Sequence, residues 1–359
     1  MIIKNDISFS AFQAFQTKSI RVLKESLRLF ISKILTADVH CKKLSSMVYY
    51  IKERYDSLNK KCGFYMDLSI TLGFIAKSVA QRPDETDEAK VRRTALMLKE
   101  YGFSCFDYLI PRSDNWVDDA ARFREFAESA GVKVHQSHAP VFRIHPGTSR
   151  DEALETYLPA VDAAAAIGAE YLVVHASEIY LAPGEIYDSE KAVREQIEMF
   201  LPVAERADRI GIKIACENVT FSQDEPRSRC SGTAEELLAI IEGLNGTSQV
   251  RPGNPAGCCW DFGHGRRSFE DESAKELKKV VPHLLCTHVH DNRARDDHQP
   301  PFTGKMDWPP LMKVLHDGGY RGNLSLELHY GRFPERVLPA YLNFCHAAGE
   351  ELIRMATEG

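Results

Sequence analysis

The stretch A-I-G-A-E-Y-L-V-V-H-A-S, residues 166–177, and its later counterpart R-I-G-I-K-I-A-C-E-N, residues 209–218, hold the unit from which most of this chain is built. In both, a glycine (Gly168, Gly211) closes a helical stretch, an apolar run follows, and the run ends on an ionisable residue, His175 or Glu217. Glycine suits that place because the left-handed backbone that ends a helix costs it nothing. An uninterrupted apolar run is what a parallel strand needs when helices cover the sheet.

Working outward, the same unit recurs from Phe64 onward, and strands are expected at 65–70, 105–110, 132–138, 171–175, 212–217, 257–261, 284–290 and 323–328. Helical stretches of roughly 12–20 residues separate them. One helix start is marked by Thr233 with Glu236 three residues on, a capping box ahead of Leu237. Eight alternating units fit an α/β fold of the (β/α)8 barrel type, closed on itself. A doubly wound open sheet is disfavoured, because no G-x-G-x-x-G phosphate loop follows the first strand.

Residues 1–62 read differently. They carry 12 Lys/Arg against 5 Asp/Glu and an apolar stripe at Ile20, Leu23, Leu27, Phe30 and Ile34. This is the pattern of a basic helical extension, packed on the barrel or lying outside the enzyme fold; membrane-surface or partner binding is the functional alternative. The barrel domain is expected over 63–359.

A hydrophobic share of 44% and a charged share of 27% are those of an ordinary globular protein. Outside the basic segment the balance is 33 Lys/Arg against 46 Asp/Glu, a net −13. That disfavours nucleic acid as a partner and favours a small neutral or cation-bridged substrate. Nine cysteines without a C-x-x-C pair point to reduced thiols and the cytoplasm. No apolar run approaches the ~20 residues of a transmembrane helix. Assembly into a homo-oligomer is compatible with the sequence.

In such a barrel the chemistry lies at the carboxyl ends of the strands. There the sequence places His138, His175, Glu217, Asp261 with His264, His288, the loop pair Asp296 and His298, and Glu327. Carboxylates and imidazoles from successive strand ends converge on the barrel axis, and a divalent cation removes their mutual repulsion. Glu217, Asp261, His288 and Glu327 form an oxygen-rich set suited to Mn²⁺, Mg²⁺ or Co²⁺, with Zn²⁺ the alternative. His138, His175, His264, Asp296 and His298 are richer in nitrogen and suit either further ions or substrate hydroxyls. Trp116, Phe142, Trp260 and Trp308 are candidate apolar walls for a sugar, against the plainer reading as core. His290 and Asp291 are candidates for orienting His288, and Arg266–Arg267 for a phosphate or plain surface.

These strand ends, with the runs H-V-H-D-N (288–292), D-D-H (296–298), P-F-T-G-K-M-D-W (301–308) and G-Y-R-G-N-L-S-L-E (319–327), resemble the xylose isomerase-like TIM barrel superfamily. That superfamily holds sugar and sugar-phosphate isomerases and epimerases together with type IV apurinic endonucleases. The resemblance runs from about residue 64 to the end. It implies that Glu217, Asp261, His288 and Glu327 bind the catalytic ion, that Glu217 and Glu327 also move protons through a metal-stabilised enediolate, and that His264 contacts a substrate hydroxyl. In the epimerases an arginine after the strand-seven histidine touches the sugar; position 294 is alanine here, so Arg293 or Arg295 would serve. The expected activity is that of a divalent-metal-dependent sugar, sugar-phosphate or keto-polyol isomerase or epimerase. The alternatives are a zinc-dependent apurinic endonuclease, for which the nine donors could supply a three-zinc cluster, and a lyase or dehydratase on a keto-sugar or keto-inositol.

Overall fold

The computed structural model describes residues 66–358, apart from 177, 222–226, 228, 231, 247–254, 294 and 331–333. The expectation for residues 1–62 lies outside the described residues. Eight parallel strands close into one barrel in sequence order: β1 (Leu68–Thr71), β2 (Cys105–Leu109), β3 (Lys133–His138), β4 (Tyr171–Val174), β5 (Lys213–Glu217), β6 (Ala256–Asp261), β7 (Leu284–Val289) and β8 (Leu324–Leu326). The barrel closes through β1 and β8, where Leu68 pairs with Leu324 and Ile70 with Leu326. Each expected strand is present, with ends moved by a few residues.

The helices lie outside. They are α1 (Leu72–Ser78), α2 (Asp87–Glu100), α3 (Trp116–Ala130), α4 (Arg150–Ile167), α5 (Ser189–Ile210), α6 (Ala234–Gly246), α7 (Phe262–Phe269), α8 (Ser273–Val280), α9 (Trp308–Asp317) and α10 (Leu338–Glu358). Gly168 and Gly211 end α4 and α5 with φ of 84° and 86°, the left-handed conformation expected of them. At the start of α6, Thr233 Oγ1 accepts from Glu236 N at 3.3 Å and Glu236 Oε2 accepts from Thr233 N at 3.4 Å, which completes the capping box.

Strand alternation divides the core. Leu172, Val174, Ile214, Cys216, Cys258, Trp260 and Val289 belong to the large apolar layer between sheet and helices. A second, smaller cluster holds Val173, Ala215, Cys259 and Cys286. Each of its members lies two residues before His175, Glu217, Asp261 or His288, hence on the same face of its strand. The ionisable strand ends therefore stand on an apolar floor. The seven cysteines among the described residues are free and buried.

The inner face of β8, β1, β2 and β3 is polar instead. Ser69, Asp107, Gln136, Asn323 and Ser325 are buried there, and Asn323 Nδ2 donates to Ser69 Oγ at 2.6 Å. No helix among the described residues is long and apolar enough to cross a membrane.

Candidate metal centre

Four strands deliver the principal donors. Glu217, Asp261 and His288 occupy the last turns of β5, β6 and β7, and Glu327 follows directly on β8. Their exposures are 2%, 0%, 0% and 5%. One ligand atom from each lies within 4.8 Å of the others. His288 Nδ1 is 3.2 Å from Glu217 Oε2, 3.5 Å from Glu327 Oε2 and 4.0 Å from Asp261 Oδ2. Neither ring nitrogen of His288 makes a well-aligned hydrogen bond, despite its burial.

An imidazole lone pair without a hydrogen-bond partner, faced by three buried carboxylates, fits a divalent cation by donor chemistry and by convergence. Without one, three carboxylates in so small a volume are held by protonated imidazoles. Burial opposes charge on Glu217, but His288, His175 and the contact from His138 outweigh it and hold the carboxyl well below its usual range. Burial likewise works against His288, and the carboxylates of Glu327 and Glu217 reverse it, raising the imidazole well above the ordinary range. Asp261 is lowered too, burial being outweighed by His264 and His290.

The nitrogen-rich residues gather around the same carboxylates. Glu217 Oε2 is 3.2 Å from His138 Nε2 and 3.3 Å from His175 Nε2, so these three residues form a second donor group. His264 Nδ1 lies 2.9 Å from the main-chain oxygen of Asn218 and 3.2 Å from Glu217 Oε1, while its Nε2 faces Asp296 Oδ2 at 3.3 Å. Asp296 also approaches His298 Nε2 at 3.6 Å and His290 Nε2 at 3.7 Å, which makes a further group of three. Burial opposes the charge of Asp296, but the contacts with His264 and His298 pull its carboxyl far down. His298 is raised to about 9 against its burial, chiefly by Asp296. His138, His175 and His264 thus meet Glu217, His298 Nδ1 lies 3.6 Å from Glu327 Oε2, and Asp296 joins them through His264, His290 and His298.

Some expectations are corrected. His290 does not touch His288 among the contacts seen; its Nε2 is 3.0 Å from Asp261 Oδ1 and its ring stacks on His298 at 4.1 Å. Gly263 makes that possible, because a Cβ there would meet the His290 ring at 1.9 Å. Asp291 accepts from Met306 N at 3.0 Å and from Trp308 Nε1 at 3.3 Å, so it pins the segment after β7. Trp260 and Trp308 are fully buried in the core, and neither Trp116 nor Phe142 lines the cavity. Arg293 donates to the Thr303 carbonyl, and Arg295 lines a cavity that shares Phe74 and Lys77 with the one at the donors. Arg266 pairs with the exposed Asp271.

Two residues with evident influence on the site were not singled out from the sequence. Asp107, fully buried on β2, places Oδ2 at 3.0 Å from His288 Nε2 and accepts from Thr71 Oγ1 and Gln136 Nε2, each at 3.3 Å. Glu178 sits 3.3 Å from His175 Nδ1 and accepts from Arg229 Nη1 at 2.6 Å. The signal for Asp107 was present: in C-F-D-Y-L, residues 105–109, an acid interrupts an otherwise apolar strand. An acid is rarely enclosed without a partner.

The fold and the donors together define a β/α barrel with a polar cluster enclosed at the carboxyl ends of its strands. The chain belongs to the xylose isomerase-like TIM barrel family, whose model matches residues 96–347. The uncharacterised protein y4fM of Sinorhizobium fredii is 26% identical over 270 residues, covering 68% of this chain and 82% of that one. The uncharacterised protein MJ1188 of Methanocaldococcus jannaschii is 21% identical over 65% of this chain and 81% of its own length. Among solved structures, a D-tagatose 3-epimerase-like protein superposes with a TM-score of 0.62 at 19% identity, covering 82% of this chain and 99% of the other. The 3-keto-D-glucoside 4-epimerase of E. coli gives 0.57 at 17% identity, covering 79% and 98%. At such identities the likeness shows the fold.

Proposed function

We propose that this barrel is a divalent-metal-dependent isomerase or epimerase of sugars or related keto-polyols. The observation that carries the reading is a division of labour within the four donors. Glu217 and Glu327 line a cavity of about 650 Å³, whereas Asp261 and His288 are enclosed and do not reach it. Asp261 and His288 would then only hold the ion, while Glu217 and Glu327 both hold it and face the substrate. When bound, a divalent cation supplies a Lewis acid to a carbonyl oxygen and a neighbouring hydroxyl.

One glutamate takes the proton from the carbon beside the carbonyl, and the other returns a proton. Return to the opposite face of that carbon is epimerisation; return at the adjacent carbon is isomerisation. Glu217 suits the role of base because its carboxylate lines the cavity. His264, whose Nε2 faces the cavity side at Asp296, is positioned for a substrate hydroxyl. The names of the structural neighbours, sugar 3-epimerases and a keto-glucoside 4-epimerase, support this substrate class. Loss of a leaving group after the same proton abstraction would make the enzyme a lyase.

The test is solvent-deuterium exchange into a panel of ketoses and keto-glycosides by the metal-loaded protein. Exchange at the carbon beside the carbonyl is expected, and its absence throughout the panel rejects the reading. A second reading, a zinc phosphodiesterase, has its own observation: the other donor groups, His138–His175–Glu217 and His290–Asp296–His298, surround the first. Metal analysis separates the two, since about one ion per chain supports the isomerase and about three zinc ions the phosphodiesterase. The acidic balance of the barrel, −13, weighs against a phosphate backbone as substrate.

A further inference from the structure

We propose that the substrate is a keto-polyol bearing an apolar, ring-sized substituent, such as an aryl aglycone, seated against the β1–β3 side of the cavity. The inference rests on reading the donor cluster as a carbon-acid centre, and it narrows what that centre acts on.

The cavity is divided in character. Toward β4–β8, and at His138 on the end of β3, it is lined by the imidazoles and carboxylates described above. Toward β1–β3 it is lined by Leu72 and Phe74 of α1, Val91 of α2, Leu109 and Ile110 at the end of β2, and Val141 beyond β3. Two main-chain donors on that wall are already engaged. Ile110 N donates to the His138 carbonyl, and Ala139 N donates to the Val173 carbonyl. The polar side chains on that wall are Tyr108, with one phenolic hydroxyl, the exposed Lys77 and Asp87, and the half-buried Lys90. Lys77 Nζ lies 5.6 Å from the centre of the Phe74 ring.

Hydroxyls placed against the apolar part of this wall, at Phe74, Leu109 and Val141, lose water and gain few partners. An apolar ring in the same place removes both its own surface and that of the wall from water. Size agrees: about 650 Å³ lies within the roughly 300–1,000 Å³ range of pockets that enclose drug-sized ligands, more than a bare sugar needs. Val141 remains 42% exposed, an apolar surface that such a group would cover.

The experiment compares methyl and phenyl glucopyranoside by isothermal titration calorimetry on the full chain loaded with Mn²⁺, alongside deuterium exchange into the keto-sugar panel. The phenyl glycoside is expected to bind at least about tenfold more tightly. Val141→Asp, at an exposed position, and Leu109→Asn should bring that ratio close to one while the unfolding temperature of Val141→Asp stays near that of the parent. Equal affinity for the two glycosides, with exchange into free keto-sugars intact, overturns this inference and leaves the proposed function standing. A phenyl preference without exchange into any keto-sugar instead removes the carbon-acid reading, and with it the keto-polyol half of the inference.

Discussion

At the scale of single residues, the assignment of Glu217 and Glu327 as proton carriers makes the sharpest demand. Glu217→Gln and Glu327→Gln keep size and burial but lose the base, and each should slow deuterium exchange by about 10²–10⁴-fold. Unchanged exchange in either variant would show that its carboxylate is not the base. Asp107 acts one step further away. Its carboxylate lies 3.0 Å from His288 Nε2, which favours the tautomer with a proton on Nε2 and leaves Nδ1 toward Glu217 and Glu327. Asp107→Asn is therefore predicted to weaken Co²⁺ binding by about 10–100-fold and to perturb the visible spectrum of the bound Co²⁺, with the circular dichroism of the barrel preserved. Equal Co²⁺ affinity and an unchanged spectrum would rule the role out.

At the scale of elements, the start of α6 shows how a cap is tied to its surroundings. Glu236 completes the capping box with Thr233 and also accepts from Tyr187, Ser189 and Arg227 at 2.6–2.7 Å. Burial pushes its carboxyl up, but these bonds outweigh it and the folded value falls below the ordinary 4.5. For a depressed carboxylate the stabilisation is complete above the unfolded value and is lost as pH falls through the folded one. Glu236→Gln should thus cost about 1–3 kcal/mol near neutrality. The gap between parent and variant in chemical denaturation should narrow on acidification below about pH 4.5; a gap independent of pH would contradict the argument. The cap itself was legible from T-A-E-E, residues 233–236, because capping is a local matter. The bonds from α5 and from Arg227 were not, since 47 positions separate Ser189 from Glu236.

At the scale of the whole molecule, the donors bind strands β5 to β8 together at one end of a barrel closed by β1 and β8. A cation bound only by the folded form stabilises it by mass action, about 2.7 kcal/mol at a hundredfold excess over Kd. Chelation should accordingly lower the calorimetric Tm by several degrees, and Mn²⁺ or Co²⁺ should restore it; a Tm indifferent to both would argue that no cation is held. The eight strands and their ionisable ends were legible because each is a local pattern: an apolar run, a helix-ending glycine, an acid or imidazole at the boundary. Closure then forced His138, His175, Glu217, Asp261, His264, His288, Asp296, His298 and Glu327 toward one place. What the pattern could not reveal is which neighbours face one another across the interior. Asp107 meets His288 from a strand on the far side of the barrel, His290 turns to Asp261 rather than His288, and the cavity wall is Phe74, Leu109 and Val141 rather than a tryptophan. By itself the sequence determined the barrel and the ionisable residues at its strand ends, because strand periodicity and strand-end chemistry are written within a few consecutive residues. Only the tertiary structure decided which donors reach the cavity and what its other wall is made of, because those depend on contacts between segments that the chain keeps far apart.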